Sequence, residues 1–269
     1  SRALQEAQGQ LILAKKFPRS EMEAHTNIMK ACTRFGLSEK AMYTYPRGKK
    51  TVTGPSVILL REIKKLYGNL ESGTVILNQS AEVTEGFAYC WDLQSNVRTK
   101  KYFFIRHERK ADNQIKKLTD PRDIREIVEN YASRYERSCI ESVIPADLLE
   151  DAKKVCANTL RKGNGKETKE EQLKKLVFGF DGLGIKSEDL QEKLGHSLDS
   201  INDEEFVELV GIFNSIKDKE TRRQDWFKRF TVTESEKTQE LNQKLAELKK
   251  PQEVAEPSIL GQALTSSPP

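Results

Sequence analysis

The chain has 269 residues, 36% hydrophobic and 32% charged, with a formal net charge of +4. That length holds one large domain, or one of ordinary size with a small companion. No apolar run approaches the roughly 18 residues of a membrane span, and the start, SRALQEAQGQ, lacks the apolar core of a signal peptide. A soluble, cytoplasmic protein is expected, processed or trimmed at its start because the initiator Met is missing. Cys32, Cys90, Cys139 and Cys156 lie far apart with no C-x-x-C pair, which argues against zinc and gives no disulfide framework. The charge is uneven, with residues 1–162 carrying net +9 and residues 163–269 net −5. A basic body with an acidic remainder fits a nucleic-acid binder with an appended interaction region.

Residues 3–32 are helical in pattern and broken at Pro18, and 43–55 (YTYPRGKKTVTGP) read as an ordered loop or short hairpin. A helix is expected over 56–67, stopped at Gly68-Asn69. Three strands follow at about 70–79, 82–93 and 97–107, with Ser95-Asn96 turning between the last two, an antiparallel meander. Residues 108–120 read as a polar, Lys-rich loop. Thr119 or Asp120 then caps a helix that has Pro121 at its first position. Its apolar stripe is Ile124, Ile127, Val128, Tyr131, Tyr135 and Cys139, with Arg122, Arg125, Arg134 and Arg137 largely off it. Pro145 stops it, and another helix runs to about Leu160.

The organisation expected is an α+β domain over 1–160, a Gly- and Lys-rich linker over 161–167, a small all-α domain over 168–230, and a short helix with a disordered tail over 231–269. Ser187 and Asn202 are the N-caps anticipated in the small domain.

The stretch AYCWDLQSNVRTKKYFFIRHER (88–109) carries the chemistry. At period two, one face of its second half presents Arg98, Lys100, Tyr102, Phe104 and Arg106, and the other presents Val97, Thr99, Lys101, Phe103 and Ile105. Cations suit phosphates and aromatic rings suit unpaired bases, so Tyr102 and Phe104 are candidates for stacking. Lys116 and Lys117 in the following loop, and Arg122, Arg134 and Arg137 on the helix, extend the candidate set. The plainer alternative is a solvated sheet face and a surface helix whose arginines pair locally with Glu136 and Glu141. There is no G-x-x-x-x-G-K-[ST] and no H-E-x-x-H, and His25, His107 and His196 are isolated. No catalytic residue, metal or cofactor is assigned, and an enzyme is not expected.

The order of elements resembles the phage single-strand annealing proteins of the RecT/Redβ/Erf superfamily. The likeness rests on AYCWDLQSNVRTKKYFFI followed by LTDPRDIREIVENYASRYERSCIESVIP, with KKLVFGFDGLGIKSEDLQEKLGHSLDSINDEEFVELVGIFNSIKDKETRRQDWF similar to the small helical domain of some RecT-like proteins. It covers about 55–230. It implies ATP-independent annealing of complementary single-stranded DNA in recombination, by an oligomeric ring or helical filament in the bacterial host cytoplasm. Arg134 and Arg137 would hold backbone phosphates. Arg98, Lys100, Lys101, Arg106, Lys116 and Lys117 would complete a basic groove. The acidic second half would recruit partners, such as the host single-strand binding protein or a companion exonuclease. The rival expectations are a structural or scaffolding protein and a metal-dependent nuclease.

Overall fold

The computed structural model describes residues 2–48, 50–111 and 114–230. Three helices, α1 (Arg2–Lys16), α2 (Glu21–Cys32) and α3 (Phe35–Ser38), lead into a hairpin of β1 (Met42–Arg47) and β2 (Lys50–Pro55). Helix α4 (Val57–Tyr67) follows, begun by Ser56, whose Oγ accepts from the Leu59 N–H at 3.2 Å. Gly68, at φ +77°, ends it.

A three-stranded antiparallel sheet comes next: β3 (Leu70–Gln79), β4 (Val83–Asp92) and β5 (Val97–Arg106), with β4 in the centre. Asn96 takes a left-handed φ of +60° in the turn between β4 and β5. Residues 108–120, expected as a loop, contain a second hairpin, β6 (Glu108–Ala111) with β7 (Gln114–Lys117). Buried His107 anchors its base, with Nε2 2.8 Å from Thr84 Oγ1 and Nδ1 3.1 Å from the Ala81 carbonyl oxygen. The helices α5 (Pro121–Val143), α6 (Ala146–Lys162), α7 (Lys169–Gly182), α8 (Ser187–Leu194) and α9 (Asp203–Lys217) complete the unit. Asp120 caps α5, and Asn202 forms a reciprocal capping box with Glu205 on α9. At α8 the cap is Lys186, and Ser187 is the first helical residue.

The class is therefore mixed α and β, with helices against one side of a small antiparallel sheet. Helix α5 lies across the inner face. Ala88, Cys90, Phe103 and Ile105 turn towards it and are buried with Ala132, Cys139 and Ile140. Gly86 lets the sheet and ring meet: a Cβ there would stand 2.4 Å from the Val75 carbonyl oxygen and 2.9 Å from the Phe103 ring. Ile28, Leu59, Leu60, Ile63, Ala152 and Cys156 continue this core under α2, α4 and α6.

The region 168–227 is not separated from this body. Ser215 of α9 donates its hydroxyl to the Thr44 carbonyl at 2.7 Å, and Asn214 Nδ2 donates to the Met42 carbonyl at 3.1 Å. Gly211 abuts β1 so closely that a Cβ would stand 2.1 Å from Thr44 Oγ1. Val210 belongs to the main core, and residues 1–227 form one compact unit. In the second unit, 228–269, a short 3-10 turn at Lys228–Phe230 is described. The short helix and tail expected over 231–269 lie outside the described residues. Among the described residues no helix is long and apolar enough to cross a membrane.

Candidate nucleic-acid interface

Ten-residue strands with period-two alternation give the sheet two chemically distinct faces. The register sets the outer one. Phe87 lies between Val75 and Tyr102, Tyr89 between Gly73 and Lys100, and Trp91 between Glu71 and Arg98. Phe104 follows beside Glu85, and Arg106 beside Val83. Phe87, Tyr89, Trp91, Tyr102 and Phe104 thus share the face opposite the one on which α5 packs, the first three of them half-buried. Tyr102 is 63% and Phe104 73% exposed.

The rings and cations of this surface order one another. The Arg98 guanidinium lies 4.8 Å from the Tyr89 ring centroid and 5.1 Å from that of Trp91. Lys100 Nζ lies 5.1 Å from the Phe87 centroid, and Phe87 and Tyr102 meet at 5.6 Å with a tilt of 57°. Tyr89 donates its hydroxyl to Glu71 at 2.6 Å, while Trp91 Nε1 donates to Asn96 Oδ1 at 3.0 Å. Burial, with the bond to the Glu71 carboxylate, pushes the Tyr89 phenol up to about 12, so it stays a neutral donor at ordinary pH. Arg98, Lys100 and Arg106 form no ion pair among the described residues. Their charge is available to an outside anion.

The remaining candidates divide. Lys116 and Arg122 are exposed and have no ion-pair partner among the described residues. Lys117 pairs with Glu82 at 3.0 Å, a bond that raises the lysine pKa and lowers that of the carboxylate. Lys101 points to the inner face, where its ammonium donates to Ser138 Oγ on α5. Its grouping with the cations of the outer face is therefore corrected: alternation turns it the other way.

Arg134 and Arg137 are also engaged from within. Arg137 reaches both carboxylate oxygens of Glu220 at 3.2 and 3.4 Å and lies over Tyr43, while Arg134 donates to the Lys219 carbonyl. The helix arginines expected to hold phosphates thus fasten the turn after α9 to α5. Glu136 is not their local partner but a buried carboxylate bonded to Arg61 at 2.9 Å and Ser72 at 2.8 Å. Burial alone would raise its pKa, but the hydrogen bonds from Arg61 and Ser72 outweigh this and lower it.

Phe87, Tyr89 and Trp91 were absent from the residues singled out in the sequence. The signal was there: F-A-Y-C-W alternates large and small residues one strand earlier, and the turn at Asn96 pairs it with V-R-T-K-K-Y-F-F. The described residues hold no group of three or more His, Cys, Asp or Glu placed to take a metal ion. Comparison with protein-family models, curated proteins and solved structures finds no match for the chain.

Proposed function

We propose that the chain binds single-stranded nucleic acid across the open face of its three-stranded sheet and anneals complementary DNA strands without ATP. One observation carries this reading: five aromatic side chains share an uncovered sheet face with Arg98, Lys100 and Arg106, which have no carboxylate partner among the described residues. Every base has a π-face, so stacking on Phe104, Tyr102 and the rings behind them is indifferent to sequence, worth about 1–3 kcal/mol per base. The cations would meet the phosphates, which makes affinity fall steeply with salt. A stacked base spends its face and keeps its pairing edge free, which suits a protein that must deliver one strand to another. The resemblance to RecT/Redβ/Erf proteins supports the annealing step and an oligomeric ring or filament. For the recruitment of protein partners we propose the groove of about 910 Å³ between α7 and α8, beside Phe178, which is 80% exposed.

The test is direct. Trp91 lies on the face and Trp226 does not, so a Trp226→Phe chain has a single indole to report stacking. Titration with a labelled oligothymidylate should quench Trp91 and raise probe anisotropy, and the chain should speed pairing of two complementary dye-labelled strands without ATP or metal. Anisotropy that rises without any quench would move the site off the sheet. No binding at low salt would defeat the reading and favour a scaffolding role. Metal-dependent degradation of the probe would favour a nuclease.

A further inference from the structure

The sheet has two free edges, β3 and β5, and they are defended very differently. An edge strand exposes a row of unpaired backbone N–H and C=O groups, and proteins keep neighbours away with charge, proline or a covering element. The β5 edge carries Arg98, Lys100, Lys101 and Arg106 within ten residues. The β3 edge, LESGTVILNQ, has one charge, Glu71, and neither lysine nor proline. From Thr74 onward it is exposed, with Val75 38%, Ile76 45% and Leu77 61% accessible.

We infer that β3 is an interface between two copies of this chain, paired antiparallel about a two-fold axis at Thr74. Only a strand satisfies a strand edge, and the candidate edges of a second copy can be compared. Two β5 edges would bring Arg98, Lys100 and Arg106 of one copy beside the same three cations of the other. Joining β3 to β5 of a second copy with both open faces on the same side would be a parallel pairing, because β3 and β5 run the same way beside antiparallel β4. It is the weaker ladder, and it does not close unless a ring forms. Pairing β3 with itself is antiparallel and closed. The bulge between Ile76 and Asn78 ends the regular ladder, and an axis at Thr74 places the pairing where the exposed part of the strand begins. In that register Ser72 faces Ile76 of the second copy, Gly73 faces Val75 and Thr74 faces its own equivalent, so no charge opposes a charge within the regular ladder.

The axis is perpendicular to the sheet, so both open faces look the same way. The result is a six-stranded sheet with two aromatic surfaces side by side, twice the length of one. Such a pairing is short, so the dimer is expected to dissociate on dilution. A ring or filament would then be built from pairs through a different surface.

The experiment needs no nucleic acid, so its outcome is separate from the proposed function. Sedimentation of the full chain over a range of concentrations should show the mass rising towards twice that of one chain. Thr74→Lys places two ammonium groups opposite each other on the axis, and Thr74→Glu does the same with carboxylates. Each variant alone should stay monomeric with an unchanged thermal melt, and an equimolar mixture of the two should dimerise at least as well as the unmodified chain. An unmodified chain that stays monomeric throughout, a Thr74→Lys chain that dimerises normally, a mixture that fails to pair, or open-ended growth would each overturn the inference.

Discussion

The two faces of the β3–β4–β5 sheet are built from the same strands by the same alternation, yet they differ in composition and in what packs on them. The inner face is made of Ala88, Cys90, Phe103 and Ile105, closed by α5 and excluded from water. Its composition follows from volume: small residues on β4 leave room for the Phe103 ring, and Gly86 removes even a methyl group. The outer face is richer in aromatics, with Phe87, Tyr89 and Trp91 on β4 and Tyr102 and Phe104 on β5, and α5 packs on the other side. An aromatic surface left open to water costs solvation that a core would recover, and the proposed binding role rests on that contrast.

The sharpest way to break this comparison uses two adjacent residues. Phe103→Ala empties the packed face and should cost about 3–5 kcal/mol in urea unfolding. Phe104→Ala, one residue on, should change stability by no more than about 0.5 kcal/mol. Equal losses would mean that the outer face is also a packing surface.

Tyr102→Ala with Phe104→Ala should then weaken oligonucleotide binding by about 1–3 kcal/mol for each stacked base lost. Anisotropy titration measures this, and the thermal melt should stay where it was.

Glu136 lies under the sheet, and its replacement should show that the inner side is electrostatically closed. Its pKa is lowered in the folded chain. The stability it contributes is therefore complete above the unfolded value of about 4.3 and is lost as pH falls through the lower folded value. Glu136→Gln should lower stability at neutral pH by about 1–3 kcal/mol, since hydrogen bonds to a charged group are lost. It should also flatten the decline of urea stability below about pH 4.3.

The smallest effects separate the cations. Lys100→Ala should reduce the slope of log affinity against log salt by about one, the loss of a single phosphate contact. Lys101→Ala, on the other face, should leave that slope unchanged.

Much of this was legible in the sequence. The three strands fall within a residue or so of their expected ends, because alternation, the Gly68-Asn69 stop and the Ser95-Asn96 turn each mark a boundary. The hairpin at 108–117 was hidden because its charged residues mask alternation. The partners of Arg134 and Arg137 could not be read, since Glu220 lies more than eighty residues away and only the docking of α9 brings it near. Helix α9 itself misled for a physical reason. Leu209, Val210, Ile212 and Ile216 make it apolar on several sides, which suits the core of a separate domain as well as a helix wedged against β1.

The four cysteines have a practical consequence. Each is buried, and none is in a disulfide. Burial pushes the Cys90 thiol up to about 12 and raises that of Cys139 as well. Thiolate is the species that reacts with maleimides. The bond with Cys32 lowers the Cys156 pKa instead, but burial shuts all four from reagent, so a cysteine introduced at an exposed position such as Ser80 should label selectively without first removing them. One dye per chain could then be read in a single molecule, so that the arrival of each copy on one strand could be counted as it happened.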